Sequence, residues 1–101
     1  MVKHVILWKL KENLSDEERE LRAKGVKEGL EGLVGVVPGL IELHIRTEHL
    51  PSSTADLLLT STFESAEALK GYSVHPAHVA VANEKVRPFA EVRLCLDFEE
   101  D

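Results

Sequence analysis

Three side chains of this sequence have the chemistry for proton transfer: His4, Tyr72 and His78. A histidine titrates near pH ~6.5, so it can accept or give a proton at neutral pH. A tyrosine hydroxyl can donate a hydrogen bond to a carbonyl oxygen. Held together in an apolar pocket, these groups could enolise or condense a carbonyl compound without a metal or a cofactor. Alternatively, the three side chains satisfy one another's hydrogen bonds inside a core, and composition leaves both possibilities open.

For the remaining histidines, the sequence favours structural or solvent-exposed positions over roles in catalysis or metal binding. His75 and His78 have the i, i+3 spacing that can chelate a metal, but Pro76 stands between them and no cysteine or carboxylate completes a zinc motif. Since His75 precedes the proline at a predicted helix start, we expect its side chain to cap free N–H groups. His44 and His49 have no clustered partners, and we expect them in solvent. Phosphate loops, Ser-His-Asp patterns and nucleotide fingerprints are absent, so the expected cofactor is none.

Composition narrows the possible partners and the compartment. The 101 residues suffice for one domain, 1–101, with a net charge of −6 from 12 basic and 18 acidic residues. Because the basic residues form no cluster, we expect no nucleic acid partner. The single cysteine, Cys95, is predicted to be a strand residue rather than a nucleophile, and a lone cysteine is typical of a reducing compartment. No stretch is apolar enough for a signal peptide or a membrane span, which predicts a cytoplasmic protein without membrane contact.

The elements that position the candidate side chains begin with a strand over residues 2–11. Its alternation predicts one face with His4, Ile6 and Trp8, so His4 should be buried and should need a hydrogen-bond partner. Ser15 is a suitable N-cap for a helix whose apolar spacing continues to Val37, where Pro38-Gly39 should end it. The remaining predicted elements are strands over 40–50, 55–63 and 91–98, a helix capped by Ser65, and a helix over 76–86.

This order of elements, β-α-β-β-α-β, is that of a ferredoxin-like α+β fold: a four-stranded antiparallel sheet with the helices on one face. The sheet face away from the helices would also carry apolar side chains, among them Val5 and Leu7. Such a face would be an exposed apolar patch in a monomer. The pattern therefore predicts a homodimer in which a second copy covers the sheet.

Glycines at i, i+4 and i+7 in the first helix, Gly25, Gly29 and Gly32, form one narrow stripe. Each costs the helix about 1 kcal/mol relative to alanine. Two explanations remain open: close packing against a neighbouring element, or space left for a ligand.

Two segments resemble the stress-responsive α/β-barrel family: VKHVILWKLK at residues 2–11 and FESAEALKGYSVHPAHV at residues 63–79. The Tyr-x-x-His-Pro-x-His core of the second, from Tyr72 to His78, is the more specific mark. The resemblance spans nearly the whole chain, and it implies a ferredoxin-like fold whose sheets form a barrel across a dimer.

The resemblance also implies roles for individual residues. A plant member closes a linear polyketide by aldol condensation without a cofactor, and by that likeness His78 would be the general base and Tyr72 its partner. His4 would line the pocket, and His75 of the same motif is a further candidate for ligand contact. Two pocket positions carry different residues here, namely Leu30 and Leu57. Some members hold a cation on main-chain carbonyls, which would correspond to those of Val34, Val37 and Leu40.

Three functions follow as hypotheses. The first is a homodimer typical of the family, with a small-molecule pocket between helices and sheet and no assigned activity; its alternative is a cofactor-free cyclase, lyase or isomerase in which His78 and Tyr72 act on a small hydrophobic, enolisable carbonyl compound. In the second, the dimer binds or protects and the histidines are structural. The third, a heme-degrading monooxygenase, rests on analogy of fold alone.

Overall fold

The computed structural model describes residues 1–100, and Asp101 lies outside the described residues. The elements are β1 (Val2–Leu10), α1 (Asp16–Glu31), β2 (Leu40–Arg46), β3 (Leu57–Phe63), α2 (Ala66–Val74), α3 (Pro76–Val81), a π-helical turn (Ala82–Val86) that continues α3, and β4 (Ala90–Glu99). No described helix combines the length and the apolar character that a bilayer crossing requires.

The four strands form one antiparallel sheet in the order β2-β3-β1-β4. β1 is central, and its Ile6 pairs with Leu59 of β3 on one side and with Cys95 of β4 on the other. This topology confirms the predicted ferredoxin-like α+β fold.

Helix α1 begins where the sequence predicts and ends earlier. The Ser15 hydroxyl accepts from the Glu18 N–H, and the Glu18 carboxylate accepts from the Ser15 N–H, which forms a capping box. The prediction that the helix extends to Val37 is wrong, because α1 ends at Glu31 and a series of turns follows. The C-cap is Gly32, and beyond it the N–H groups of Leu33 and Val34 donate to carbonyls three residues back, as in tight turns. Gly35, with a φ of +88°, then turns the chain out of the helical direction.

Two strands are also shorter than predicted. β2 ends at Arg46 rather than at residue 50, and β3 begins at Leu57 rather than at residue 55. At the start of β3 the Asp56 carboxylate accepts from the Leu10 N–H at 2.7 Å, and the Asp56 N–H donates to Trp8 at 2.9 Å. Asp56 therefore continues the β1–β3 ladder beyond Leu57 with one main-chain and one side-chain hydrogen bond.

The core lies between the helices and one face of the sheet. The face of β1 that carries His4, Ile6 and Trp8 is buried there, as the alternation predicts. The most deeply buried side chains are Ile6, Val26, Leu30, Leu59, Ser61 and Phe63.

The opposite face of the sheet, called here the outer face, has no helix over it. The register of β1 with β4 places Leu7 opposite Leu94 and Val5 opposite Leu96, so these four side chains share the outer face. Leu94 is 62% exposed and Leu96 64% exposed, and Val92 and Phe98 follow the same alternation. The apolar second face predicted from the sequence is therefore present, and the single chain leaves it open.

Candidate active site

A cavity of about 440 Å³ lies between the helices and the β1–β4 half of the sheet. Its walls are apolar on the inside, polar in the middle and charged toward β4. The side chains that matter are Ile6, Trp8, Leu30 and Leu59 in the apolar part, His4, Tyr72 and His78 in the polar part, and Arg87, Glu91 and Arg93 in the charged part. This arrangement of an apolar floor with a few convergent polar groups is typical of a small-molecule site.

Tyr72 lies on the buried side of α2, and only 2% of its surface is exposed. The Ser65 hydroxyl starts this helix by accepting from the Ala68 N–H at 3.1 Å. The tyrosine ring packs edge-on against Phe63, with 5.0 Å between the ring centroids. Its hydroxyl oxygen is buried and has no hydrogen-bond partner among the described residues. Burial raises the pKa of Tyr72, partly offset by Arg93, so the hydroxyl keeps its proton and can donate it in a hydrogen bond.

His78 is positioned by the start of α3. The His75 ring caps this helix, since its Nδ1 accepts from the Ala77 N–H at 3.1 Å, and Pro76 occupies the first turn. One turn on, the His78 ring lies 4.1 Å from the Tyr72 ring, centroid to centroid, at an angle of 34°. Its Nδ1 is buried without a partner among the described residues.

Burial also decides the charge of His78. It lowers the pKa of the imidazole, with smaller contributions of the same sign from His4, Arg87 and Arg93 and an opposing one from the main chain of Ser73. The ring is therefore neutral at pH 7 and able to accept a proton.

His4 is 7% exposed and has a hydrogen-bond partner that the sequence did not reveal. Its Nδ1 is hydrogen-bonded to the carboxylate of Asp97, the residue directly opposite in the β1–β4 register. The ring meets Phe63 and Tyr72 edge-on, with centroids 6.2 and 6.1 Å away. The prediction that a buried His4 needs a partner is thus confirmed.

The structure brings His4, Tyr72 and His78 to one cavity without joining them by hydrogen bonds. His4 is paired with Asp97, whereas Tyr72 and His78 each keep one unpartnered buried atom within residues 1–100. The structure therefore does not have the alternative arrangement, in which the three side chains would be hydrogen-bonded to one another. Unpartnered buried polar atoms are rare in folded proteins and mark places where a water or a ligand is expected.

The other candidate residues are distributed more widely. Leu30 lines the cavity, whereas Leu57 is buried next to Trp8 and is not part of the cavity lining. His75 caps α3, as expected, and is not part of the cavity wall. Exposed positions are occupied by His44 and His49.

Of the residues of the expected cation site, Val34 and Val37 lie in the turns after α1, and Leu40 is the first residue of β2. The Val37 carbonyl there already accepts from the Leu40 N–H at 3.3 Å. Binding of a cation to these carbonyls stays a prediction.

Of the three glycines in the stripe, Gly29 supports the packing explanation, and none of the three lines the cavity. A Cβ on Gly29 would come within 2.8 Å of the Val81 side chain, so this glycine allows close packing of α1 on α3. A Cβ on Gly25 would meet nothing within 4 Å.

Arg87, Glu91, Arg93 and Asp97 are charged residues of the site that the sequence did not single out. A signal for two of them exists in β4, where apolar residues alternate toward the outer face and Arg93, Cys95 and Asp97 must face the helices. Cys95 lies in a strand as predicted, and burial together with Asp97 raises the pKa of its thiol.

A second and larger hollow, of about 750 Å³, lies beside the loop between β2 and β3. Two of its titratable groups are paired: His49 Nε2 lies 3.8 Å from Asp56 Oδ1, and the other Asp56 oxygen accepts from the main chain of β1. None of the buried unpartnered side-chain atoms of residues 1–100 belongs to the lining of this hollow, whereas two of them line the cavity of Tyr72 and His78.

A ferredoxin-like sheet with a polar cavity under its helices and an uncovered apolar face defines the protein as an α/β-barrel domain. The chain belongs to the stress responsive A/B barrel domain family, whose model matches residues 2–100.

Individual relatives agree with this assignment. A stress-response A/B barrel domain-containing protein of Arabidopsis thaliana is 35% identical over 85 residues, which cover 80% of this chain and 73% of the relative. Olivetolic acid cyclase of Cannabis sativa is 27% identical over 100 residues, covering 96% and 94%. A dimeric ferredoxin-like protein of unknown function from Bacteroides fragilis superposes with a TM-score of 0.91 at 29% identity, covering 98% of this chain and 95% of that one.

Proposed function

We propose that this protein binds a small carbonyl compound in the cavity beside Tyr72 and His78. One observation carries the proposal: the Tyr72 hydroxyl and His78 Nδ1 are both buried in the cavity and lack partners among the described residues. A carbonyl oxygen can accept from the Tyr72 hydroxyl, and the apolar floor suits the hydrocarbon part of such a ligand.

The working unit is a homodimer formed through the outer face. Two leucines of the outer face, Leu94 and Leu96, support this dimer, because each is more than half exposed. The helices cover the other face of the sheet only. A second copy of the same face is the simplest cover for the two leucines. The similar structure from Bacteroides fragilis is a dimer, which agrees with this arrangement.

The single cysteine, Cys95, supports a reducing, cytoplasmic location.

A catalytic role is favoured by the pairing of a neutral imidazole with a protonated tyrosine. With the carbonyl oxygen on the Tyr72 hydroxyl, His78 Nδ1 would remove a proton from the carbon next to the carbonyl. The hydrogen bond from Tyr72 stabilises the enolate oxygen, and the imidazolium then returns the proton to carbon or to a leaving group. In cyclisation the enolate carbon attacks a second carbonyl of the same ligand, and the imidazolium gives its proton to the alkoxide that forms. Aldol-type cleavage is the reverse: His78 takes the hydroxyl proton, the carbon–carbon bond breaks, and the enolate carbon receives the proton. In isomerisation the proton returns to a different carbon, and none of the three reactions needs a cofactor. A relative at 27% identity is a cyclase, which supports the same class here.

The test is hydrogen–deuterium exchange at the α-carbon of simple ketones in D₂O, followed by NMR, because it needs no knowledge of the natural substrate. Cyclohexanone, acetophenone and longer alkyl ketones serve as probes. We expect the protein to accelerate exchange of at least one probe, and His78→Ala to reduce that acceleration about 10²- to 10⁴-fold.

The matched control is His44→Ala, which removes an exposed histidine of β2 and should leave the exchange rate unchanged. Equal rates for His78→Ala and the parent protein would refute the catalytic role. Binding is followed separately through the ring signals of Tyr72, and the absence of any shift with every ketone would refute the binding role as well.

A further inference from the structure

We propose that His4, Cys95 and Asp97 form a binding site for one divalent transition-metal ion of the zinc class. The three side chains offer a nitrogen, a sulfur and an oxygen atom that all lie within 4.8 Å of one another. This donor set matches zinc, which binds imidazole, thiolate and carboxylate, and does not match calcium or magnesium, which take oxygen ligands.

The spacing of the donors supports a tetrahedral ion. Zinc bond lengths imply ligand–ligand distances of roughly 3.5 Å at a tetrahedral angle. Cys95 Sγ lies 3.8 Å from His4 Nδ1 and 3.4 Å from Asp97 Oδ1, which brackets that value. His4 and Asp97 are in direct hydrogen-bond contact, so the ion would take the place of the proton between them. The Asp97 side chain is 44% exposed and can rotate outward to make room.

The β1–β4 ladder holds the three donors in place. Asp97 pairs with His4 and Cys95 with Ile6, so on the helix side of the sheet Asp97 lies directly opposite His4 and Cys95 lies diagonal to it. His4 itself is buried, and its ring is fixed by edge contacts with Phe63 and Tyr72. Donors on paired strands are held in a fixed geometry before the ion binds, which reduces the entropic cost of binding.

The same three residues do not form a nucleophilic triad. In a triad the base uses one ring nitrogen for the nucleophile and the other for the orienting carboxylate. Here Cys95 and Asp97 both approach Nδ1 of His4. When the Cys95 sulfur and the Asp97 oxygen both approach the same histidine nitrogen, one ion can bind all three atoms. Three protein ligands leave a fourth position for water.

Titration of the tag-free, reduced protein with Co²⁺ tests the site, because a thiolate ligand gives cobalt an intense near-ultraviolet charge-transfer band. Cys95 is the only cysteine, so such a band can come from no other side chain. We expect one Co²⁺ per chain, displacement by one Zn²⁺, and release of protons on binding. Cys95→Ser should abolish the band, and Asp97→Asn should weaken binding by at least about tenfold.

Two controls separate this site from other metal binding and from the proposed catalytic site. His44→Gln removes an exposed surface histidine, and His78→Gln removes the proposed base; neither should change the band or the stoichiometry. The proposal is overturned if no thiolate band appears, or if Asp97→Asn binds Co²⁺ as tightly as the parent protein. Thermal melting of Cys95→Ser and Asp97→Asn, both exposed positions, verifies that these variants are folded.

Discussion

At the scale of single residues, burial sets the protonation of both groups in the cavity. It lowers the pKa of the His78 imidazole and raises that of the Tyr72 hydroxyl, because the charged form of each is disfavoured away from water. Over a wide pH range around neutrality, the His78 imidazole is therefore a neutral base beside the protonated hydroxyl of Tyr72. The Tyr72 hydroxyl and His78 Nδ1 form no hydrogen bond within residues 1–100, so both atoms remain available to a ligand.

The unpartnered hydroxyl of Tyr72 predicts an unusual effect of its removal. Tyr72→Phe should leave the free energy of unfolding unchanged or raise it by up to ~1 kcal/mol, because the buried hydroxyl makes no hydrogen bond that the mutation could break. Ketone binding should weaken in the same variant. Urea denaturation measures the first effect and NMR titration the second.

Ser61→Ala is the matched control for the loss of a buried hydroxyl. The Ser61 hydroxyl is also buried but donates to the His4 carbonyl at 2.9 Å, so its removal should cost about 1 kcal/mol. If Tyr72→Phe costs as much as Ser61→Ala, the tyrosine hydroxyl has a structural partner and the ligand argument fails.

The lowered pKa of His78 predicts a loss of stability in acid. Its folded pKa lies below the unfolded value of ~6.5, so between the two the unfolded chain binds more protons and the free energy of unfolding rises with pH. The contribution is fully present above pH ~6.5 and is lost as the pH falls through the folded pKa. Around the ring, His4, Arg87 and Arg93 oppose protonation, while Glu91 lines the same cavity with the opposite charge.

Urea denaturation of the parent protein and of His78→Gln at pH 7.5 and pH 5.5 isolates this contribution from the other histidines. We expect the parent protein to lose more stability between the two pH values than the variant does. Equal losses would mean that His78 is not buried in its neutral form.

At the scale of elements, the turns after α1 depend on two glycines with left-handed backbone, Gly35 and Gly39. Gly35→Ala should cost about 1–2 kcal/mol, since a Cβ there has open space and suffers only from its conformation. Gly39→Ala should cost clearly more, because its Cβ would come within 2.5 Å of the Ala68 Cβ in α2.

This pair tests whether the turn is packed against α2, as the structure has it. Urea denaturation of both variants measures the difference, and each is the control for the other because both lose the same backbone freedom. Equal costs would contradict close packing between Gly39 and Ala68.

At the scale of the whole molecule, the outer face has two different halves. The half formed by β1 and β4 is apolar at its centre, with Lys3 and Lys9 toward its two ends, whereas the β2 half carries Glu42, His44 and Arg46. A dimer that buries the apolar half would leave the charged half at the rim, where polar side chains are usual in interfaces.

A charge in the apolar half should therefore break the dimer. We expect the parent protein to sediment as a dimer and Leu94→Asp to sediment as a monomer, with a melting temperature that no longer rises with protein concentration. Leu21→Asp is the control, because Leu21 is as exposed as Leu94 but lies on α1, away from the outer face. A parent protein that is monomeric at tens of micromolar, or a dimeric Leu94→Asp, would contradict this interface.

Local signals in the sequence determined the element order, the buried face of β1 and the cap formed by His75. Alternation and capping depend on neighbouring residues only, so they can be detected without a fold. Tyr72 and His78 belong to one short motif and were predicted to lie together for the same reason. The end of α1 was missed because Val34 and Val37 continue the helical spacing, although the chain forms turns from Gly32 onward.

Only the tertiary structure decided which distant residues share the cavity. Asp97 reaches His4 across 93 positions of the chain, and Cys95 joins them because of the β1–β4 register. Register depends on how whole strands pair, and a shift of one residue would turn Arg93, Cys95 and Asp97 to the outer face. The donors around His4 and the position of Leu57 outside the cavity lining were therefore beyond local patterns: contacts between distant residues are fixed by the packing of the entire sheet.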